Sequence, residues 1–496
     1  MSEHGLDVTV RAACARFADR PALRQGAAVL TYREVADKSS RLAAVLDDAL
    51  AGRAGPDPDR VAVYAHNSVD YLLSYFAVVF SGRVPVLIDR AFGERELTAI
   101  RSGCGVTAYL VEAGSAAEFP LAPNSAVPLE GSTHALVTVP ADGDVPALLP
   151  DTAVCRFTSG TTGVPKCLEF SGFAVHSAAR NWVAGTGLDA ADRILCLAAF
   201  TNGLAFNTSL LSSFLVGAEL AVHPGLPTSA RIVRALADSR ATRLVAFPFV
   251  YRMLADADLT AARFAGLDVA VSAGAELPTG VRARFEKQYG VRIADYYGVA
   301  EAGPCTFERD PAYRRGLGTP LPGVVLRTRS RSAGRSEVHL RTSSMASRYL
   351  NAPGLLESRI DAEGYYATGD LGHVEDGRLF ITGRLAGPIN LAGRKVDPRE
   401  IEEAVRELDG VRDAVVFADT GADDQVLLHL AVVGRPPLGR AGLVAGCRDR
   451  LAAYKVPQRI SFVTEIPRSS TGKVRLTDLR AVVAESADRP DHGIRS

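Results

Sequence analysis

The 496-residue chain is 47% apolar and 23% charged, the balance of a globular protein of two to four domains or subdomains. Lysine plus arginine equals aspartate plus glutamate at 56 each, which argues against a nucleic-acid surface or an anionic membrane as main partner. The longest apolar runs are far too short to span a bilayer and the start lacks a secretory signal, so a cytoplasmic protein is expected.

In chain order, RVAVYAHN from Arg60 reads as a strand, SVDYLLSYFAVVFSG as a helix and VPVLID as a second strand. The helical GERELTAIRSGCG and the short strand TAYLVEA follow. VCRFT, ending at Thr158, reads as a strand and opens into TSGTTGVPK (Thr158 to Lys166), which has no apolar period and reads as a loop. RILCLAAF, LSSFLVGAELAVH, ARIVRALADS and TRLVAF repeat the strand–helix alternation. Such crossovers predict an α/β fold, parallel sheets flanked by helices, with ligand loops beyond the carboxyl ends of the strands.

From about residue 318 to 385 short strands separated by Gly, Asp-Gly and Pro turns predict an antiparallel, β-barrel-like part of the same N-terminal domain (1–385). DPREIEEAVREL, DAVVFAD, QVLLHLAVV, AGLVAGCRDRLAA and ISFVTEI then predict a small α+β C-terminal domain, 386–485. The polar tail 486–496 is expected to be disordered. Seven scattered cysteines without a CxxC pair read as reduced, buried thiols rather than a zinc site or disulfide framework. Cys167, directly after Lys166, reads as strand burial in preference to a catalytic thiol.

The common P-loop pattern fails: Val474 follows Thr471-Gly472-Lys473, and Pro467 stands where the first glycine belongs. A different ordered set is present. TSGTTGVPK is followed by SAGAELP (Ser272 to Pro278), ADYYGVAEAG (Ala294 to Gly303), YYATGDLG (Tyr365 to Gly372), ITGRLAGPINLAGRKVDPREIE (Ile381 to Glu402) and PRSSTGKV (Pro467 to Val474). In this order the chain resembles, from Leu30 through Lys473, the adenylate-forming superfamily of acyl-CoA synthetases, adenylation domains and luciferases.

The resemblance implies that a carboxylate attacks the α-phosphate of ATP, giving acyl-AMP and pyrophosphate, with a mobile C-terminal lid domain. It assigns Thr158, Ser159, Gly160, Thr161, Thr162, Gly163 and Lys166 to the phosphates, which backbone N–H groups and hydroxyls suit. Glu301 is implied as the Mg²⁺ carboxylate and, with Lys473, as catalytic; Lys473 would bridge the attacking carboxylate and the α-phosphate. Gly274, Ala275, Glu276 and Tyr297 would line the adenine, Asp370 the ribose, and Arg384 the ribose or phosphate end. Taken singly, each has a plainer reading: Asp370 as a turn residue, Glu301 as a solvated charge, Lys473 as a surface lysine.

For the acid, Asn202 falls where relatives that adenylate α-amino acids place an aspartate against the substrate ammonium. An unpaired ammonium in an apolar pocket is costly, so Asn202 argues against amino acids; a helix-cap or turn role is its alternative. Asn202, Ala300 and the Ile389-Asn390-x-x-Gly393 segment together resemble the aryl-acid adenylating enzymes, implying a substituted aromatic acid over a fatty or other small acid. Phe206, Phe247, Gly298 and Ala300 are further candidates for its pocket; Phe206, Phe247, Phe249 and Tyr251 each read equally as pocket wall or core.

At the hinge, Ala386 stands where relatives carry Asp or Lys, which predicts altered alternation between the two half-reactions. The expected acceptor is the phosphopantetheine thiol of a carrier protein or CoA, with an amine or other small nucleophile as the alternative. A non-catalytic acyl-nucleotide-binding protein is the remaining class, and retention of Glu301 and Lys473 argues against it.

Overall fold

The computed structural model describes residues 6–487 except 52–59, 122–124, 141, 143–144, 159–164, 226, 258–263, 265, 311–314, 331–335, 385–388, 422–424, 435–438, 468–473 and 475. The chain divides into two compact units. Residues 1–90, 97–158 and 166–386 form the first, and 91–96, 159–165 and 387–496 the second.

Two large sheets organise the first unit. The nine-stranded sheet runs in the order Thr319–Pro320, Gly303–Phe307, Arg292–Val299, Val269–Ser272, Arg243–Ala246, Arg193–Cys196, Glu219–Val222, Pro21–Gln25, Ala28–Thr31. From Arg292–Val299 across to Pro21–Gln25 every pairing is parallel. The eight-stranded sheet runs Arg348–Tyr349, Lys166–Ser171, Thr152–Thr158, Val84–Leu87, Arg60–Val63, Ala108–Glu112, His134–Thr138, Ser125–Pro128.

Both sheets owe their parallel centres to the alternation read from the sequence. RVAV, VPVL and RLVA are short apolar runs because helices cover both faces, so no polar side is needed. The helix Val69–Phe80 is started by Ser68, whose hydroxyl accepts from the Tyr71 N–H, and it is apolar almost all round because it is buried. One buried cluster spans residues of both sheets and the helices Val69–Phe80 and Gly172–Thr186, among them Tyr75, Phe76, Trp182 and Phe206. A second lies under the helices Ser229–Ser239, Pro248–Ala255 and Thr279–Tyr289.

The part read as barrel-like is an antiparallel four-stranded sheet, Val324–Ser330, Ser336–Thr342, Tyr366–Glu375, Arg378–Arg384. Its pairing stays open, with the first and last of these strands at the edges, because two short strands of the same stretch, Thr319–Pro320 and Arg348–Tyr349, extend the large sheets instead.

In the second unit a three-stranded sheet (Val411–Thr420, Val426–Gly434, Arg459–Phe462) packs one apolar cluster under the helices Pro398–Arg406 and Arg440–Arg450. A smaller cluster lies under Leu476–Ala487. That helix runs two residues into the stretch expected to be a disordered tail; residues 488–496 lie outside the described residues. The Ile389–Leu391 and Arg394–Val396 strands form a hairpin whose turn holds both central residues at positive φ, which suits Gly393 but costs Ala392. Ala392 and Gly393 sit at φ +50° and +89°, and Asn390 Oδ1 accepts the Gly393 N–H at 2.9 Å. No helix among the described residues is long and apolar enough to cross a membrane.

Candidate active site

Four neighbouring parallel strands bring distant segments of sequence to one edge. Beyond the carboxyl end of Arg193–Cys196 come Asn202 and Phe206; beyond Arg243–Ala246, Phe247; beyond Val269–Ser272, Gly274 to Glu276. At the end of Arg292–Val299 stand Tyr297, Gly298, Ala300 and Glu301. Loops at this edge are free of the sheet's own hydrogen bonding, which is why open parallel sheets bind ligands there. Gly274 takes φ +85°, a conformation that favours glycine, and the turn leaves Glu276 exposed and Ala275 half-buried.

Glu301 sits in the turn that reverses the chain from Arg292–Val299 into the antiparallel Gly303–Phe307. It is buried at 6% exposure, so it is not the solvated charge of the plainer reading. The Tyr349 hydroxyl donates to its Oε1 at 2.6 Å, and the Ala346 N–H donates to its backbone oxygen at 2.7 Å. Burial, and then the Glu301 charge, raises the phenols of Tyr349 and Tyr366 well above their usual range, so both stay neutral donors.

Tyr297 and Asp370 meet directly. The Tyr297 hydroxyl donates to Asp370 Oδ2 at 2.6 Å, and burial followed by the Asp370 charge pushes that phenol up. Asp370 is steadied further by Thr368, whose hydroxyl accepts the Asp370 N–H at 3.0 Å and donates to the Val338 carbonyl at 2.8 Å. Asp370 therefore belongs to a strand, paired across from Arg384, rather than to a free turn. The Arg384 side chain lies outside the described residues.

Thr158 and Lys166 end and begin two antiparallel strands and are partners across them. The loop between, Ser159, Gly160, Thr161, Thr162 and Gly163, lies outside the described residues, as do Ala386 and Lys473. The strand Thr152–Thr158 runs parallel to Val84–Leu87, so Thr158 also stands at a carboxyl end.

Asn202 takes the cap role weighed as its alternative. Its Oδ1 accepts the Leu204 N–H at 2.8 Å at the start of a short helix that continues into the π-helical turn Phe206–Leu211. The cap uses the oxygen, so its amide N–H pair is what the side chain can offer a ligand. Phe206 is fully buried, with Tyr75 edge-on at 5.7 Å. Phe247 is half-buried and stacked on the exposed Phe249 at 6.5 Å. Tyr251 is core: it is fully buried and donates to the Val271 carbonyl at 2.7 Å. At Gly298 a β-carbon would come within 2.6 Å of both the Gly303 oxygen and Tyr296 Oη, so only glycine fits.

All seven cysteines are free and buried. Neighbouring Cys104 and Cys155, together with burial, hold the Cys167 thiol well above its usual range, which removes the reactive-thiol alternative. Among the described residues no three His, Cys, Asp or Glu converge on a metal site. Tyr349 and Arg156 are the residues near the site that the motifs did not pick out. The first is hidden by its 48-residue separation from Glu301, and the second stands as one charge inside an apolar strand.

Two family models match the chain. The AMP-binding enzyme model covers residues 10–350, and the AMP-binding enzyme C-terminal domain covers 400–473. A 3-[(3aS,4S,7aS)-7a-methyl-1,5-dioxo-octahydro-1H-inden-4-yl]propanoyl:CoA ligase of Mycobacterium tuberculosis is 29% identical over 88% of this chain and 92% of its own. A 3-hydroxybenzoate–CoA ligase of an Aromatoleum species is 25% identical over 94% of each. Among solved structures, amide bond synthetase McbA of Marinactinospora thermotolerans superposes with a TM-score of 0.81 at 23% identity, over 95% of this chain and 99% of that one. The first model alone takes in well over half of the chain, which belongs to the AMP-binding enzyme family and is an ATP-dependent, AMP-forming acid–thiol ligase.

Proposed function

We propose that the chain activates a substituted aromatic carboxylic acid and hands the acyl group to a thiol, that of CoA or of a carrier protein. The observation that carries this reading is the meeting of Tyr297, Asp370 and Glu301 with the Asn202, Phe206 and Phe247 loops at one edge of parallel strands. The 3-hydroxybenzoate–CoA ligase among the relatives supports the choice of acid.

In this reading Tyr297 and Gly274 to Glu276 flank the adenine, and Asp370, held by Tyr297 and Thr368, accepts from the ribose. Thr158, Lys166 and the loop between them take the β- and γ-phosphates. Glu301 fits Mg²⁺ as a buried hard oxygen donor with a neutral phenol behind it; bound there, the ion would neutralise phosphate charge. Lys473 bridges the incoming carboxylate and the α-phosphate as charge develops, and pyrophosphate leaves with the bond that breaks. Water exclusion and alignment of two anions are the main work, since the reaction needs no group more basic than a carboxylate. The thiol then displaces AMP from the acyl carbon.

Pyrophosphate–ATP exchange over benzoates, cinnamates, amino acids and fatty acids tests the reading. Exchange is expected with aromatic acids and should fall by orders of magnitude in Lys473→Ala while ATP still binds. Exchange with amino acids alone would remove the aromatic assignment, and none with any acid would favour a binding role. Competition between CoA, a carrier protein and amines for preformed acyl-AMP identifies the acceptor.

A further inference from the structure

Arg156 lies in the middle of the strand Thr152–Thr158, whose neighbours Val84–Leu87 and Lys166–Ser171 pair on both sides. It is 4% exposed, and among the described residues its side chain forms no ion pair and its Nε no hydrogen bond. Its guanidinium is braced over two aromatic faces, Phe170 at 4.3 Å and Phe206 at 5.1 Å. Burial draws its pKa down to about 10, which still leaves a full positive charge at neutral pH. An unpaired cation in such a place is costly, and aromatic faces recover only part of that cost.

Asn207 stands beside it. This amide is 1% exposed, rides on the π-helical turn Phe206–Leu211, and its Nδ2 has no partner among the described residues. Isolated π-turns cluster at functional sites. Two glycines lie directly against these donors. A β-carbon at Gly203 would lie 3.0 Å from Arg156 Nη1 and 3.6 Å from Asn207 Nδ2; one at Gly303 would lie 3.0 Å from Asn207 Nδ2. Gly203 follows Asn202, and the Gly303 carbonyl lies against Gly298, so these donors neighbour the residues assigned to the acid. A guanidinium fork beside an amide N–H suits a planar carboxylate.

We propose that Arg156 and Asn207 form a specificity subsite that binds a second carboxylate of the substrate, so that the preferred acid is a dicarboxylic acid activated at its other end. The subsite rests on the proposed function, whose carboxylate-activating centre lies at the same strand edge.

Phthalate, isophthalate and terephthalate are compared with their monomethyl esters and with benzoate in pyrophosphate exchange. At least one diacid should exceed its half-ester in kcat/KM by about 10- to 100-fold, the range of a charge-assisted pair. Arg156→Met should abolish or invert that ratio, whereas Arg156→Lys should keep part of it. A merely structural arginine would lower all substrates alike and leave the ratio unmoved. In wild type, diacids without ATP should raise the melting temperature more than half-esters do, a readout independent of how the variants fold. Equal use of diacids and half-esters, or a ratio unchanged in Arg156→Met, overturns the subsite alone. Absence of exchange with every acid overturns the proposed function and the subsite with it.

Discussion

Tyr349→Phe removes one oxygen and leaves the ring, so it isolates the 2.6 Å bond to Glu301 Oε1. Both residues are buried, at 4% and 6% exposure, so water does not simply replace the lost donor. A hydrogen bond to a charged group contributes about 1.5–3 kcal/mol. The Tyr366 hydroxyl also interacts with Glu301 and stays in place, which argues for the lower end, about 1.5 kcal/mol of stability. The functional effect is expected to be larger, because a carboxylate that holds a cation depends on the groups that orient it. Loss of such a partner costs about 10- to 100-fold in metal affinity or activity. The assay is pyrophosphate exchange as a function of Mg²⁺ concentration, beside a thermal melt. Half-saturating Mg²⁺ should rise by about 10-fold or more. An unchanged Mg²⁺ dependence with a lowered melting temperature would refute the assignment of Glu301 to the cation and reduce the Tyr349 contact to packing.

Gly298→Ala would drive a β-carbon into the Gly303 carbonyl and the Tyr296 hydroxyl, an overpacking cost of about 1–3 kcal/mol; it should raise KM for the acid far more than KM for ATP. With all seven thiols buried, Ellman's reagent should find almost none in the native protein and all of them in guanidinium; one fast-reacting native thiol would contradict the burial of the cysteine that carries it. Burial alone would raise the Asp419 carboxyl, but hydrogen bonds from His429 and Arg459 outweigh it and bring the pKa down to about 2. A folded pKa below the unfolded value of about 3.9 stabilises above that pH and is lost as pH falls toward 2, so the stability gap between wild type and Asp419→Asn should close across this window in acid melts.

The sequence made the alternation of strands and helices legible because the central strands are short apolar runs between turn signals; RVAV, VPVL and RLVA lie where they were read. Tyr297, Asp370 and Glu301 were legible through ordered motifs, but as three ligand contacts. Their bonds to one another and to Tyr349 were not, because partners 48 and 73 residues apart meet only after strand register is set. Asn202 carries a local signal that competes with the functional one: Asn followed by Gly-Leu-Ala is a good helix start, and its oxygen is used that way. Ser159 to Gly163, Ala386 and Lys473 lie outside the described residues; their assignments come from the ordered motifs, and Lys473→Ala tests that of Lys473.

Arg156 illustrates a signal that motif reading passes over. In VCRFT every neighbour suits a strand covered on both faces, and the arginine alone does not. Local choices that contradict their surroundings concentrate where a ligand supplies what the fold withholds. The two explanations of this one differ in consequence. If Phe170 and Phe206 fully compensated the buried charge, a methionine of similar length would be neutral or stabilising, since apolar replacement of a buried ionic group often is. Substrate preference would then not change. If instead the charge waits for a carboxylate, the same substitution would also leave the empty protein no less stable, but it would erase the extra stabilisation that a diacid confers on wild type. The ligand-dependent difference, and not the stability of the apo-protein, therefore separates a tolerated arginine from a recognising one.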